Sequence, residues 1–183
     1  MDTNEVKKVI GVMGAAGIED SDLLKKAFEL GKEIAKNGYC LLTGATTGLP
    51  YEATKGAKSE KGFVVGISPA ADKKEHVQVF KKPIINHDLI IYTGSGYQGR
   101  NLINIRSCDA VIFINGGIGT LNEFTIAYKE DKLIGILENS GGICDRIPKI
   151  VESLYLKSDS KIIFESDPKL LVQRLIKNFE GGK

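Results

Sequence analysis

The sequence predicts a doubly wound α/β fold, with a mostly parallel sheet of about seven strands and helices on both faces, and three observations carry that expectation. Short apolar runs of β type alternate from end to end with longer stretches of helical periodicity, the pattern of right-handed βαβ units. Glycine-rich turns follow several of the short runs, and the 21 glycines exceed the usual share of about 7%. The 183 residues, 42% hydrophobic and 26% charged, suffice for one core that buries roughly two-thirds or more of the unfolded surface. Residues 1–183 are therefore read as a single domain.

The run 8–13 is the first strand and ends in Gly14-Ala15-Ala16-Gly17. Asp20 or Ser21 can cap the next helix, which carries Leu23, Leu24, Phe28, Leu30 and Ile34 on its inner side and stops at Gly38. Residues 39–43 form the second strand, followed by the turn Gly44-Ala45-Thr46-Thr47-Gly48 and a helix through Tyr51, Ala53 and Ala57 to about Gly62. Residues 63–67 are the third strand. Segment 68–83 holds several lysines, Pro69 and Asp72 with little periodicity, and reads as a loop with room for a helical turn, able to act as a flap over a ligand. A strand around 89–92 comes next, then a helix over about 97–107 and the wholly apolar strand 110–114. After the turn at 116–120 the pattern gives a helix to about Lys129 and a strand over 133–137. Loop 138–144 precedes a helix with Ile147, Ile150, Val151 and Leu154, a strand at 162–164 and a last helix over 168–179 opened by Pro168. The ending 180–183 is expected to fray.

Composition excludes several classes. The net charge is only +2, with lysines interspersed among acids, so no nucleic-acid footprint is present. The apolar runs fall far short of the ~20 residues that span a bilayer, and the polar start does not read as a signal peptide. Cys40, Cys108 and Cys144 are odd in number and widely spaced, which fits a reduced, cytoplasmic protein without disulfides or a cysteine metal site. His76 and His87 lie in the lysine-rich middle and read as solvated loop residues without a role.

In an open parallel sheet, ligands sit beyond the carboxyl ends of the strands, where helix N-termini present free N–H groups and positive dipole ends. Three glycine-rich turns fall there: 14–17, 44–48 and 116–120. In the third, Gly116, Gly117 and Gly119 let the backbone wrap an anion and Thr120 adds a hydroxyl; the alternative is that Thr120 and Glu123 form a capping box. The common nucleotide signatures GxxxxGK[ST] and GxGxxG are absent, which disfavours a P-loop ATPase and an NAD(P) dehydrogenase. Ser107 lacks a GxSxG setting, Cys108 is expected to be buried, and Arg106 with Asp109 is expected to form a structural pair.

The run Gly116-Gly117-Ile118-Gly119-Thr120-Leu121-Asn122-Glu123 resembles the PGGxGTxxE motif of the LONELY GUY (LOG) family, nucleoside 5′-monophosphate phosphoribohydrolases of the SLOG superfamily with a Rossmann-like fold. Arg100 stands where that family has an arginine one helix upstream. Gly44-Ala45-Thr46-Thr47-Gly48-Leu49 is similar to its GGGSxGLM turn, and Gly14-Ala15-Ala16 occupies the place of its GSS turn. Asn115 replaces the motif proline, Asn122 an acid, and Gly99 and Asn101 the residues flanking the arginine. These departures resemble the branch that includes molybdenum-cofactor carriers and proteins once labelled lysine decarboxylases, although no lysine here has a pyridoxal-phosphate context.

The resemblance implies a nucleotide or phosphorylated-cofactor ligand, no required cofactor or metal, and a homodimer or higher homo-oligomer. It assigns Arg100 and Glu123 to catalysis of N-glycosidic cleavage, and Gly14, Gly44, Thr46, Gly48, Gly116, Gly117, Gly119 and Thr120 to holding the ligand. The alternative it implies is a carrier or sensor of a nucleotide or molybdenum (pterin) cofactor that performs no chemistry.

Overall fold

A computed structural model describes residues 7–155 and 158–180. Seven strands form one sheet in the order β4-β3-β2-β1-β5-β6-β7, with every neighbouring pair parallel. The strands are β1 (Val9–Gly14), β2 (Cys40–Thr43), β3 (Val64–Ser68), β4 (Leu89–Tyr92), β5 (Ala110–Ile114), β6 (Leu133–Leu137) and β7 (Ile162–Glu165). Helices α1 (Ser21–Lys36), α2 (Leu49–Ser59), α3 (Lys73–Gln78), α4 (Gly96–Arg106), α5 (Ile118–Lys129), α6 (Ile147–Ser153) and α7 (Pro168–Glu180) connect or follow them, with a 3₁₀ turn at Cys144–Arg146 before α6. The chain winds outward from β1 to β4, then crosses back to lay β5 on the other side of β1. The β1/β5 boundary is therefore the switch point where a doubly wound sheet opens a crevice.

The sheet is Rossmann-like and all parallel, with a core on each face. Ile10, Val12, Leu41, Val64, Ile112 and Ile114 pack beneath α1, α2 and α7, through residues such as Leu30, Ala53 and Leu171. Met13, Leu42, Val111 and Phe113 pack on the other face with Ile105 of α4 and Phe124 of α5. All five residues of β5 are buried, as expected for a central parallel strand covered on both sides. Asp20 starts α1 by accepting from the amides of Asp22 and Leu23. Among the described residues no helix is long and apolar enough to cross a membrane.

Several local expectations need correction. Segment 68–83 holds the helical turn expected there, α3, capped by Asp72, but its His76 is fully buried instead of solvated. His76 Nε2 lies 3.3 Å from the Pro83 carbonyl, which accepts, so Nδ1 can accept from the Ser68 hydroxyl at 2.8 Å. His87 is half-buried and stacked on Tyr51, and burial pulls its imidazole below the ordinary range. Arg106 pairs with Glu130 across α4 and α5, whereas Asp109 accepts from the Val9 amide, so the expected Arg106–Asp109 pair does not form. The partners of His87, Arg106 and Asp109 are remote in sequence, and only the folded chain brings them within reach. Cys108 is buried, and burial raises its thiol far above the reactive range. Of the ending 180–183 that was expected to fray, residue 180 closes α7 and residues 181–183 lie outside the described residues.

Candidate functional site

A cleft of about 350 Å³ opens at the switch point, within the size range of small-molecule sites. Its walls are the turn after β1 (Gly14, Ala15, Ala16), Thr46 after β2, the start of α4 (Tyr97, Gln98, Arg100, Asn101) and the start of α5 (Gly117 to Thr120, with Glu123). Of the ten residues singled out from the sequence, Gly14, Thr46, Arg100, Gly117, Gly119, Thr120 and Glu123 line this one space. Gly44, Gly48 and Gly116 lie behind it as supports. Gly44 seats the arginine, because a Cβ there would fall 2.4 Å from Arg100 Nη2. Gly116, at φ +89°, seats Thr120, whose Oγ1 would be 2.3 Å from such a Cβ.

The amino end of α5 has the properties of an anion seat. The helix begins at Ile118, two residues earlier than the motif suggested, so Thr120 is the third helical residue and the Thr120–Glu123 capping box does not form. The N-cap is Gly117 and no side chain caps the helix. Among the described residues no acceptor is bonded to the amides of Ile118, Gly119 and Thr120, and there is open space where side chains at Gly117 and Gly119 would lie. Asn115, in place of the motif proline, braces the loop. Its φ is +54°, its amide NH₂ donates to the Ser140 carbonyl at 2.6 Å, and its Oδ1 accepts from the Gly116 amide at 2.6 Å. Gly116 N–H is thus occupied within the chain, and the open donors begin at the next residues.

Below the loop, Arg100 and Glu123 form a buried pair, each 6% exposed. Arg100 Nη1 donates to Glu123 Oε1 at 3.3 Å and to Asn101 Oδ1 at 3.1 Å, while its Nε is buried without a partner in the protein. Thr46 Oγ1, on the opposite wall, is likewise buried and unpaired. Burial raises the Glu123 carboxyl above the ordinary glutamate range, opposed by the Arg100 charge and by hydrogen bonds from Asn104 and Arg100. Burial likewise pulls the guanidinium down, opposed chiefly by Glu123, yet an arginine stays cationic at physiological pH. Segment 68–83 borders the same wall: Phe80 packs edge-on against Tyr97 at 5.4 Å, and Tyr97 lies under the Arg100 guanidinium at 5.8 Å. Lys82 is pulled down by burial and then by the neighbouring positive charge of Arg100.

Sequence reasoning missed Asn104 and the amide bridge between Asn101 and Asn122. Asn104 is fully buried one helical turn beyond Arg100 and donates to Glu123 Oε1 at 3.2 Å. Asn101 Nδ2 donates to Asn122 Oδ1 at 2.9 Å, joining α4 to α5. The i, i+4 spacing of Arg100 and Asn104, aimed at one helix face, was the available signal. No cluster of three or more histidine, cysteine or acidic residues suited to a metal ion occurs among the described residues.

The family model of the SLOG cluster4 family matches residues 7–172. This chain belongs to that family. Within reach of the SLOG cluster4 chain is an uncharacterized protein of Archaeoglobus fulgidus, 38% identical over 131 residues that cover 70% of this chain and 79% of that one. The cytokinin riboside 5′-monophosphate phosphoribohydrolase of Mycobacterium tuberculosis is 28% identical over 127 residues, covering 68% of this chain and 64% of the relative. The solved structure of the molybdenum cofactor binding protein from Rippkaea orientalis superposes with a TM-score of 0.78 at 32% identity, covering 96% of this chain and 98% of that one.

Proposed function

We propose that the switch-point cleft binds a nucleoside 5′-monophosphate and that the chain hydrolyses its N-glycosidic bond, releasing the free base and ribose 5-phosphate. The observation that carries this reading is the buried Arg100–Glu123 pair directly below the uncapped amino end of α5. The amides of Ile118, Gly119 and Thr120, with the Thr120 hydroxyl, would hold the 5′-phosphate at the positive end of the helix dipole. Gly14, Gly44, Thr46, Gly48, Gly116 and Gly117 shape the cleft around it. A desolvated carboxylate next to an anion seat opposes anion binding, but it favours a transition state in which positive charge grows on the ribose. In that step the C1′–N bond breaks, its electron pair leaves with the base, which takes up a proton, and water supplies the new C1′–O bond. Glu123 stabilises the ribose charge, and Arg100 keeps the carboxylate ionised and in place.

The test is incubation with AMP and related nucleoside monophosphates, following base and ribose 5-phosphate by chromatography. Glu123→Gln is expected to retain nucleotide binding and lose turnover by at least about a hundredfold. Hydrolysis that persists in this variant would overturn the role of Glu123. Because burial raises the Glu123 carboxyl and the carboxylate is the working form, activity should fall as pH drops through a value above the ordinary glutamate range.

The near full-length likeness to the Rippkaea orientalis protein favours a second reading, a carrier of a phosphorylated pterin-type cofactor held by the same amides. No base release, with thermal stabilisation by such a cofactor, would select it. Either reading carries the expectation of a cytoplasmic homo-oligomer, which light scattering on the purified chain tests for assembly.

A further inference from the structure

We infer that Asn104 is a positioning residue for Glu123: with Arg100 it ties down Oε1 of that carboxylate and leaves Oε2 as the oxygen presented to the cleft. Asn104 Nδ2 and Arg100 Nη1 converge on Oε1 at 3.2 and 3.3 Å, and no donor among the described residues is bonded to Oε2. Glu123 lines the cleft, so its untethered oxygen is the one available to a ligand. Two donors separated by one turn of α4 hold the carboxylate in one rotamer, which a single ion pair to a long arginine would not do.

Core packing alone does not call for an amide at this place. Asn104 is fully buried beside Met13, its Nδ2 3.8 Å from the Met13 sulfur, and its Oδ1 is buried without a partner. A leucine would fill such a site without stranding an acceptor, so the asparagine costs stability that its donor must justify. The direction of the amide follows from the carboxylate. Flipped, Oδ1 would face Oε1 and two acceptors would repel. The other polar groups around Glu123 are Arg100 on α4 and the Cys108 thiol before β5, while Lys82 and Tyr97 act on Arg100.

The catalytic consequence rests on the hydrolase reading; the tether itself does not. The test uses the full chain with ¹³C-labelled glutamate, the Glu123 carboxyl signal being assigned by its loss in Glu123→Gln. In Asn104→Leu the carboxylate loses a donor, so its titration midpoint should rise by about one pH unit, a tenfold change in proton affinity. The rate constant kcat for nucleoside monophosphate hydrolysis should fall about tenfold or more, with KM changed less than about twofold because the α5 amides are untouched. The acid limb of the pH profile should move up with the midpoint. Asn104→Ala, which removes the donor without adding an acid or bulk, should move the midpoint in the same direction and covers the case in which the leucine variant does not fold. An unmoved midpoint in a variant that melts like the parent would reduce Asn104 to packing, and a moved midpoint with unchanged kcat in an active enzyme would overturn the positioning role. A moved midpoint in a chain that hydrolyses no nucleotide would leave the tether standing and remove the hydrolase reading instead.

Discussion

The amino ends of α1 and α5 face the same physical problem and resolve it in opposite ways. Each helix begins with N–H groups that have no intrahelical partner, at the positive end of the dipole. At α1 the Asp20 carboxylate accepts from the amides of Asp22 and Leu23 at 2.9 and 3.0 Å. Asp72 does the same for Glu75 of α3, and Asp167 for Lys169 and Leu170 of α7. At α5 the equivalent place is Gly117, which has no side chain to offer. Gly48 and Ser95 likewise give α2 and α4 no side-chain cap, and α4 begins on the cleft wall while α2 begins three residues after Thr46. Helix α6 is also uncapped, but it continues a 3₁₀ turn. The chain thus supplies its own carboxylates at α1, α3 and α7 and withholds them around the switch point, which leaves those amides open to the phosphate of the proposed ligand.

Placing a cap where the chain has none gives the largest expected effect on that comparison. Gly117→Asp meets open space and should accept from the first amides of α5, raising stability by roughly a few tenths of a kcal/mol. The same carboxylate occupies the anion seat, so the affinity for AMP by calorimetry should fall at least about tenfold. A variant that gains stability and binds AMP as before would show that the phosphate lies elsewhere.

The reciprocal change is smaller. Asp20→Ala removes the cap of α1, should lower stability by about 1 kcal/mol in denaturant unfolding, and should leave AMP affinity unchanged. A loss of affinity comparable to that of Gly117→Asp would break the division between structural and ligand-facing helix ends.

The smallest effect concerns pH and lies away from both ends. Burial lowers the His87 imidazole from its ordinary value of 6.5, so the folded chain resists a proton that the unfolded chain accepts. His87 therefore leaves stability intact above about 6.5 and subtracts from it as pH falls from there toward its lowered folded value. Melting temperatures of His87→Gln should lose part of the parent's decline over that interval. Parallel curves for the two proteins would exclude His87 as a source of acid sensitivity.

Much of this architecture was legible in the sequence because its causes are local. The apolar run of β5, the Asp20 cap, Pro168 at the start of α7 and the glycine turns each act over a few residues, and alternating strand and helix patterns restrict the topology to few choices. The glycine loop was visible for the same reason, while Glu123 stood out only through the motif that the loop resembles. The helix start after the loop was not visible, since Thr120 and Glu123 have the spacing of a cap while the helix actually opens two residues earlier on a glycine. His76 was misread because nothing in a lysine-rich stretch shows that α3 folds its imidazole onto Ser68 and Pro83.

By itself, then, the sequence determined the all-but-parallel α/β plan, the three turns at the strand ends and the residue types available there, because propensity, periodicity and turn chemistry are short-range properties. Tertiary structure alone decided that β5 returns beside β1, that Arg100 lies against Gly44, and that Asn104 and Arg100 share one oxygen of Glu123. Those contacts join residues from 19 to 100 positions apart, as in Asn104 to Glu123 and Val9 to Asp109, and their geometry depends on how whole elements pack.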